Sequence, residues 1–173
     1  HASVSNLRKI SHTYDERNRL KTTRHGDGSP GADHSYTPDG LPYRVTSDGM
    51  TWTYRYNKRR LLVSETLQSA GSIDSIGWGI DANGHVAAMA YPDGTTLSYE
   101  PNALGEPTRI GPYATGVTHH PNGAVASYAL LNGVSHTVSH NVRGLPELRR
   151  DAGVAGVVLQ DRYAYDAGGN VTA

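Results

Sequence analysis

Apolar and polar positions alternate along most of this chain. Trp52, Tyr54 and Tyr56 fall on one side of an extended segment, with Thr53 and Arg55 on the other. Leu97 and Tyr99 flank Ser98, and Tyr163 and Tyr165 flank Ala164. His136, Val138 and His140 interleave with Thr137 and Ser139. A period of two is that of a half-buried β-strand. Helical spacing is hard to find, because Gly, Pro or Asn-Gly interrupts the chain too often. Ser47-Asp48-Gly49, Pro92-Asp93-Gly94 and Leu131-Asn132-Gly133 separate alternating runs. Asp-Gly and Asn-Gly in that setting are strong hairpin signals. The pattern predicts an all-β chain of short antiparallel hairpins.

A longer period overlies the short one. An anchor residue, a polar residue, two variable positions, a turn residue and then a basic residue, Leu or Val recur. The anchors are Tyr14, Tyr36, Tyr56, Ile80, Tyr99, His119, His140 and Tyr165, 19 to 25 residues apart. Asp or Asn after the anchor can accept backbone N–H groups two residues on and start a turn. Each repeat of roughly 21 residues then reads as strand, turn, strand, turn. Eight repeats predict about sixteen strands, with residues 1–173 as one repeat region. A single repeat has too little apolar area for a core and must stack on its neighbours. A sheet that wide curls rather than staying flat, so a long, curved, wound sheet is expected. Open edges at its two ends invite self-association.

Tyr163-Ala164-Tyr165-Asp166-Ala167-Gly168-Gly169-Asn170-Val171 resembles the signature of the Rhs/YD-repeat family, Tyr-x-Tyr-Asp-x-x-Gly-Arg/Asn-Leu/Val. His12-Thr13-Tyr14-Asp15-Glu16-Arg17-Asn18-Arg19-Leu20 is similar, displaced by one residue. Tyr91-Pro92-Asp93-Gly94-Thr95-Thr96-Leu97-Ser98-Tyr99 looks like the family's inner hairpin. The resemblance runs from about residue 10 to the end and is degenerate at Ile80, His119 and His140. The family includes bacterial Rhs polymorphic toxins, the B and C subunits of insecticidal Tc toxin complexes, and teneurins. It implies a segment of a hollow β-shell, without catalysis of its own, that encapsulates a toxin or effector polypeptide. Its implied partners are the remaining shell repeats and the enclosed polypeptide. Its implied setting is secreted or cell-surface, with delivery by a bacterial secretion or toxin-complex system. The family's self-cleaving region carries Asp-Pro-x-Gly-Leu; this chain has no Asp-Pro, so no cleavage site is carried over.

Composition changes the picture in one respect. Leu, Ile and Val together make 31 of 173 residues, and Phe is absent. So low a share ordinarily signals disorder. A thin sheet held by repeated turns and a Tyr ladder needs no thick aliphatic core, which reconciles the count with a fold. The charge is balanced overall but not along the chain: residues 1–60 carry net +5 and residues 61–173 net −5. A pI near 7.3 argues against a dedicated nucleic-acid binder. The chain has no apolar run long enough for a membrane-spanning helix, and no signal peptide is visible. It has no Cys, so disulfides and thiolate chemistry are absent.

Candidate chemistry is sparse. Gly26-Asp27-Gly28-Ser29-Pro30-Gly31 matches a dinucleotide fingerprint in letters, but Pro30 interrupts it and no helix follows. With Asp33 the same loop lacks the oxygen spacing of a calcium loop. His136 and His140 would be about 13 Å apart on a strand, too far for one ion. Cross-strand pairing of His119 with His140 is the geometry to check. Lys58-Arg59-Arg60 reads as a solvated turn or an anion contact, and Asn170-Val171-Thr172 as a formal sequon. No catalytic, cofactor-binding or metal-ligating residue is expected. The anchors are expected to be structural. Trp52, Tyr54 and Tyr163 form a candidate stripe that, if exposed, would stack on carbohydrate in a surface adhesion role.

Overall fold

The computed structural model describes residues 9–172. Every helix or strand among them is a strand: β1 (Ile10–Tyr14), β2 (Leu20–His25), β3 (Ala32–Tyr36), β4 (Pro42–Ser47), β5 (Met50–Tyr56), β6 (Leu62–Ser69), β7 (Ser72–Ile80), β8 (Val86–Ala90), β9 (Thr96–Ser98), β10 (Ala114–His119), β11 (Val125–Leu130), β12 (Ser135–His140), β13 (Pro146–Gly153) and β14 (Gly156–Arg162). They form two open antiparallel sheets in which strands follow one another in chain order. The alternation and turn signals account for this. Each strand is too short to bury a core and pairs with the strand the next turn returns. The chain divides into two compact units, one made of the chain through Gly79 with Ala90–Thr95, the other of Ile80–Met89 with the chain from Thr96 on.

In the first unit β1 to β7 form one continuous meander. The register sorts its side chains. His34, Val45, Trp52 and Leu67 stand opposite one another on one face. Ser35, Arg44, Thr53, Thr66 and Ser75 line up on the other. Hydroxyls on that second face bond across strands, as Thr13 to Thr22 at 2.7 Å and Thr66 to Ser75 at 3.0 Å. In the second unit β10 to β14 repeat the arrangement. Thr118, Ser127, Thr137, Arg150 and Gln160 line one face; Tyr128, His136, Asp151 and Leu159 line the other.

Burial is slight. Ala114, Val117 and His136, at 6 to 8% exposed, are the buried non-glycine residues among those described. No large side chain there is fully buried. The low aliphatic count is the compositional counterpart of this thin construction.

Two departures from the expected regularity have local causes. Residues 99–113 form no strand, although a repeat of two strands is expected there. Pro101, Pro107 and Pro112 interrupt this stretch, and each lacks the amide a ladder needs. The Tyr99 carbonyl instead accepts the N–H groups of Thr108 and Arg109, closing a loop. Near Tyr165 the ladder narrows to an isolated bridge with Val171. The alternation also conceals a bulge that recurs after the anchors. Tyr14 pairs Leu20 while Thr13 pairs Thr22, and Tyr36, Tyr56, His119 and His140 show the same one-residue shift.

Gly105 and Gly94 separate two roles of turn glycine. Both have φ of +85°, but a Cβ on Gly105 would lie 2.7 Å from the His85 ring, whereas that of Gly94 would meet open space. Gly94→Ala is expected to destabilise by about 1 kcal/mol through its backbone conformation alone. Gly105→Ala is expected to cost about 2–3 kcal/mol, the excess being steric. Urea unfolding of both variants checks this, and equal losses would contradict the packing role of Gly105.

Candidate functional site

The recurring local structure is the turn that follows each anchor. At Tyr14 the N–H of Asp15 donates to the Arg19 carbonyl and that of Asn18 to the Asp15 carbonyl. The same pair of bonds follows Tyr36, Tyr56, Ile80, His119, His140 and Tyr165. The residue after the anchor locks the turn with its side chain. Asp15 Oδ1 accepts the N–H groups of Arg17 and Arg19, both at 2.9 Å. Asn57 does the same for Arg59 and Leu61, and Asn141 for Arg143 and Leu145. Asp81 accepts those of Asn83, Gly84 and His85. Thr37 supports the Leu41 amide with its hydroxyl. At Tyr99 the turn is displaced: Asn102 caps Leu104 and Glu106, so Pro101 stands where an anchor would. At His119 the following His120 offers no such oxygen, and Asn122 caps Ala124 instead.

Three pairs of neighbouring turns are tied to one another through arginine or tyrosine, which the repeat pattern alone did not reveal. Tyr36 Oη donates to the Leu20 carbonyl at 2.8 Å, and Tyr165 Oη to the Pro146 carbonyl at 2.7 Å. Each acceptor lies six residues after the preceding anchor. Arg17 Nη1 reaches the Pro38 carbonyl at 2.6 Å. Arg143 reaches the carbonyls of Asp166 and Ala167. Arg60, read in the sequence as part of a basic turn, bonds the Asp39 carbonyl and lies 3.4 Å from its carboxylate. Arg19 pairs with Asp15 at 2.7 Å while its guanidinium lies 4.3 Å from the Tyr36 ring centre. The available signal was arginine within turns one repeat apart.

The remaining anchors occupy varied surroundings. Tyr14 is 56% exposed, while Tyr56 is half-buried. Burial first, then the charge of Asp39, pushes the Tyr56 phenol up from its ordinary value. Ile80 closes β7 as an aliphatic member. Histidine placement differs from the pairing singled out in the sequence: His120, not His119, stacks on His140, with ring centres 3.9 Å apart. His119 faces Glu106 at 3.8 Å. His136 bonds Asp151 at 2.5 Å and stacks on Tyr128 at 4.7 Å. That cluster needs the strand register to be seen. Among the described residues no three His, Cys, Asp or Glu converge as metal ligands.

Of the candidate stripe, Trp52 is half-buried, opposite Val45 and Leu67. Tyr54 stands opposite Glu65, and its phenol is pushed up by burial and then by the Glu65 charge. Tyr163 belongs to the second unit, where its N–H donates to the Glu147 carbonyl. Tyr36, Tyr54 and Tyr56 meet with His34, Val45 and Leu62 in a shallow groove of about 360 Å³.

No family model matches this chain. No curated protein matches it either. Among solved structures, a crystal structure of TcdB2-TccC3 aligns with a TM-score of 0.62 at 12% identity, over 96% of this chain and 12% of that one. A Tc holotoxin pore of Photorhabdus luminescens carrying a TccC3 mutation aligns with a TM-score of 0.58 at 14% identity, over 96% of this chain and 11% of that one. TcdB2-TccC3 without its hypervariable C-terminal region aligns at 0.53 and 12% identity, over 94% and 12%. The chain thus shares the fold of a stretch of these chains and spans about 12% of their length.

The turn carboxylates set an acid limit. Asp15 is held below the ordinary 3.8 chiefly by the Arg19 side chain, then by the Arg19 and Arg17 amides. Asp166 is lowered chiefly by the Asn170 side chain, and Asp81 chiefly by the His85 amide. A carboxyl lowered on folding stabilises the fold above its unfolded value and loses that effect as pH falls through the folded value. The carboxylate contribution is therefore expected to decline below about pH 4. Asp15→Asn keeps an acceptor for both amides but has no charge to lose, so its acid-side decline should be shallower. Thermal melts from about pH 2 to 6 test this; an unchanged slope would count against it.

Proposed function

We propose that this chain is a non-catalytic wall segment of an Rhs/YD-repeat shell that encloses a toxin or effector polypeptide. The observation that carries the reading is the tying of three pairs of neighbouring turns, those after Tyr14 and Tyr36, after Tyr36 and Tyr56, and after His140 and Tyr165, through arginine and tyrosine. Arg17 to Pro38, Arg60 to Asp39 and Arg143 to Asp166 span 21 to 23 residues, one repeat. A sheet built this way grows by adding hairpins and needs no buried core. Likeness of fold to Tc toxin chains, together with the Tyr-Asp repeat, supports the assignment. The partners are then further repeats of the wall and the enclosed polypeptide. The setting is a secreted or cell-surface toxin system, delivered by bacterial secretion or a toxin complex. In the isolated chain, the outermost strands β1 and β14 are expected to favour self-association, since Ile10 and Val158 are 57 and 70% exposed.

A second reading, carbohydrate binding in surface adhesion, is favoured by the groove where Tyr36, Tyr54 and Tyr56 meet. Rings presented together in an open groove can stack on sugars. Imaging the parent polypeptide by electron cryomicroscopy separates the readings. A hollow particle with these hairpins in its wall is expected, and a solid particle would overturn the shell assignment. A glycan array is expected to give no specific hits; selective binding lost in Tyr54→Ala would favour the second reading.

A further inference from the structure

Each sheet sorts its charges by face. In the second unit Arg149 stands opposite Asp161 and His136 bonds Asp151, so that face carries groups of both signs. On the other face Arg150 stands opposite Thr137 and Gln160, and Arg162 opposite Leu148. Both arginines are exposed. The strand positions sharing that face on β12, β13 and β14 carry no carboxylate. The first unit repeats the sorting independently. Glu65 and Asp74 lie on its aromatic face, while Arg44 and Arg55 stand opposite Ser35, Thr53 and Ser64 on its hydroxyl face. Asp33, on that hydroxyl face, is held by Arg24 at 2.6 Å.

We infer that the hydroxyl and arginine face of the β10–β14 sheet docks an extended, carboxylate-rich polypeptide. Charge complementarity selects the partner: guanidinium groups without a carboxylate on their own face match carboxylates geometrically and electrostatically. Ser135 and Thr137 donate their hydroxyls to the Ala152 and Arg150 carbonyls and keep lone pairs that can accept backbone N–H groups of a docked chain. This face has no aromatic ring on β12, β13 or β14, so it lacks the stacking surface that sugars and nucleic-acid bases use. Solvent-exposed ion pairs are individually weak, so the contact holds a chain loosely and releases it as salt rises. The inference rests on the shell reading for the identity of the polypeptide, which would be the enclosed one; the face chemistry stands without it.

The test is fluorescence polarisation with labelled poly-L-glutamate, using the whole chain at neutral pH. Binding is expected at low ionic strength and is expected to be lost at about 0.5 M salt. The double variant Arg150→Ser/Arg162→Ser should weaken it roughly five- to tenfold. Arg149→Ser, on the opposite face, should leave it unchanged. Circular dichroism establishes that the variants remain folded, and protection of backbone amides on β13 gives a second check. Unchanged binding by the double variant overturns the inference. So does equal binding of a neutral unfolded polypeptide, or tighter binding of heparin, which would make the partner an anionic glycan. Failure here leaves the shell reading to be decided by imaging, so the two fail separately.

Discussion

The backbone turn that follows the anchor, closed in most repeats by a side-chain oxygen one residue on, is the constraint on which the rest depends. At Asp15, Asn57, Asp81 and Asn141 one oxygen takes backbone amides two and four residues ahead. The shared acceptor draws both amides to one point and closes the turn. Satisfying them locally fixes the loop length, and loop length fixes hairpin register. The recurring bulge follows, because the anchor pairs one residue out of step with the strand before it. With register set by the turns, strands need little packing to choose their partners. That permits a sheet in which His136 and two small apolar residues are the buried non-glycine residues among those described.

The stacking of turns supplies cohesion that a core would otherwise supply. Arg17, Arg60 and Arg143 bond carbonyls of the neighbouring turn, and Tyr36 and Tyr165 do so from the strand end. These are hydrogen bonds at exposed or half-buried sites, each of modest worth alone. Repetition makes them structural. The same economy leaves two chemically distinct faces available. One carries aromatics and most of the strand carboxylates; the other carries hydroxyls and arginines.

Much of this was legible along the chain. Alternation at Trp52, Tyr54 and Tyr56 and the Asp-Gly turns were enough for all-β hairpins, because both signals are local. The capping role of Asp and Asn was legible for the same reason. The ties between turns were not, since Arg60 beside Lys58 and Arg59 looks like any basic turn until Asp39 is placed next to it. His119 and His120 were indistinguishable by spacing. The turn geometry decided which of the two faces His140. Tyr99 misled because its aromatic ring fits the repeat, while Pro101 and Pro107 displace the turn by two residues.

What the sequence determined by itself was the strand habit, the turn chemistry and the repeat length, each set by interactions within a few residues. What only the tertiary structure decided was which side chains meet across repeats. Register sums the small shifts of every preceding turn and bulge, so a one-residue difference exchanges the face a side chain occupies. The pairing of His136 with Asp151 and the separation of Arg150 from Asp161 are consequences of that accumulated register.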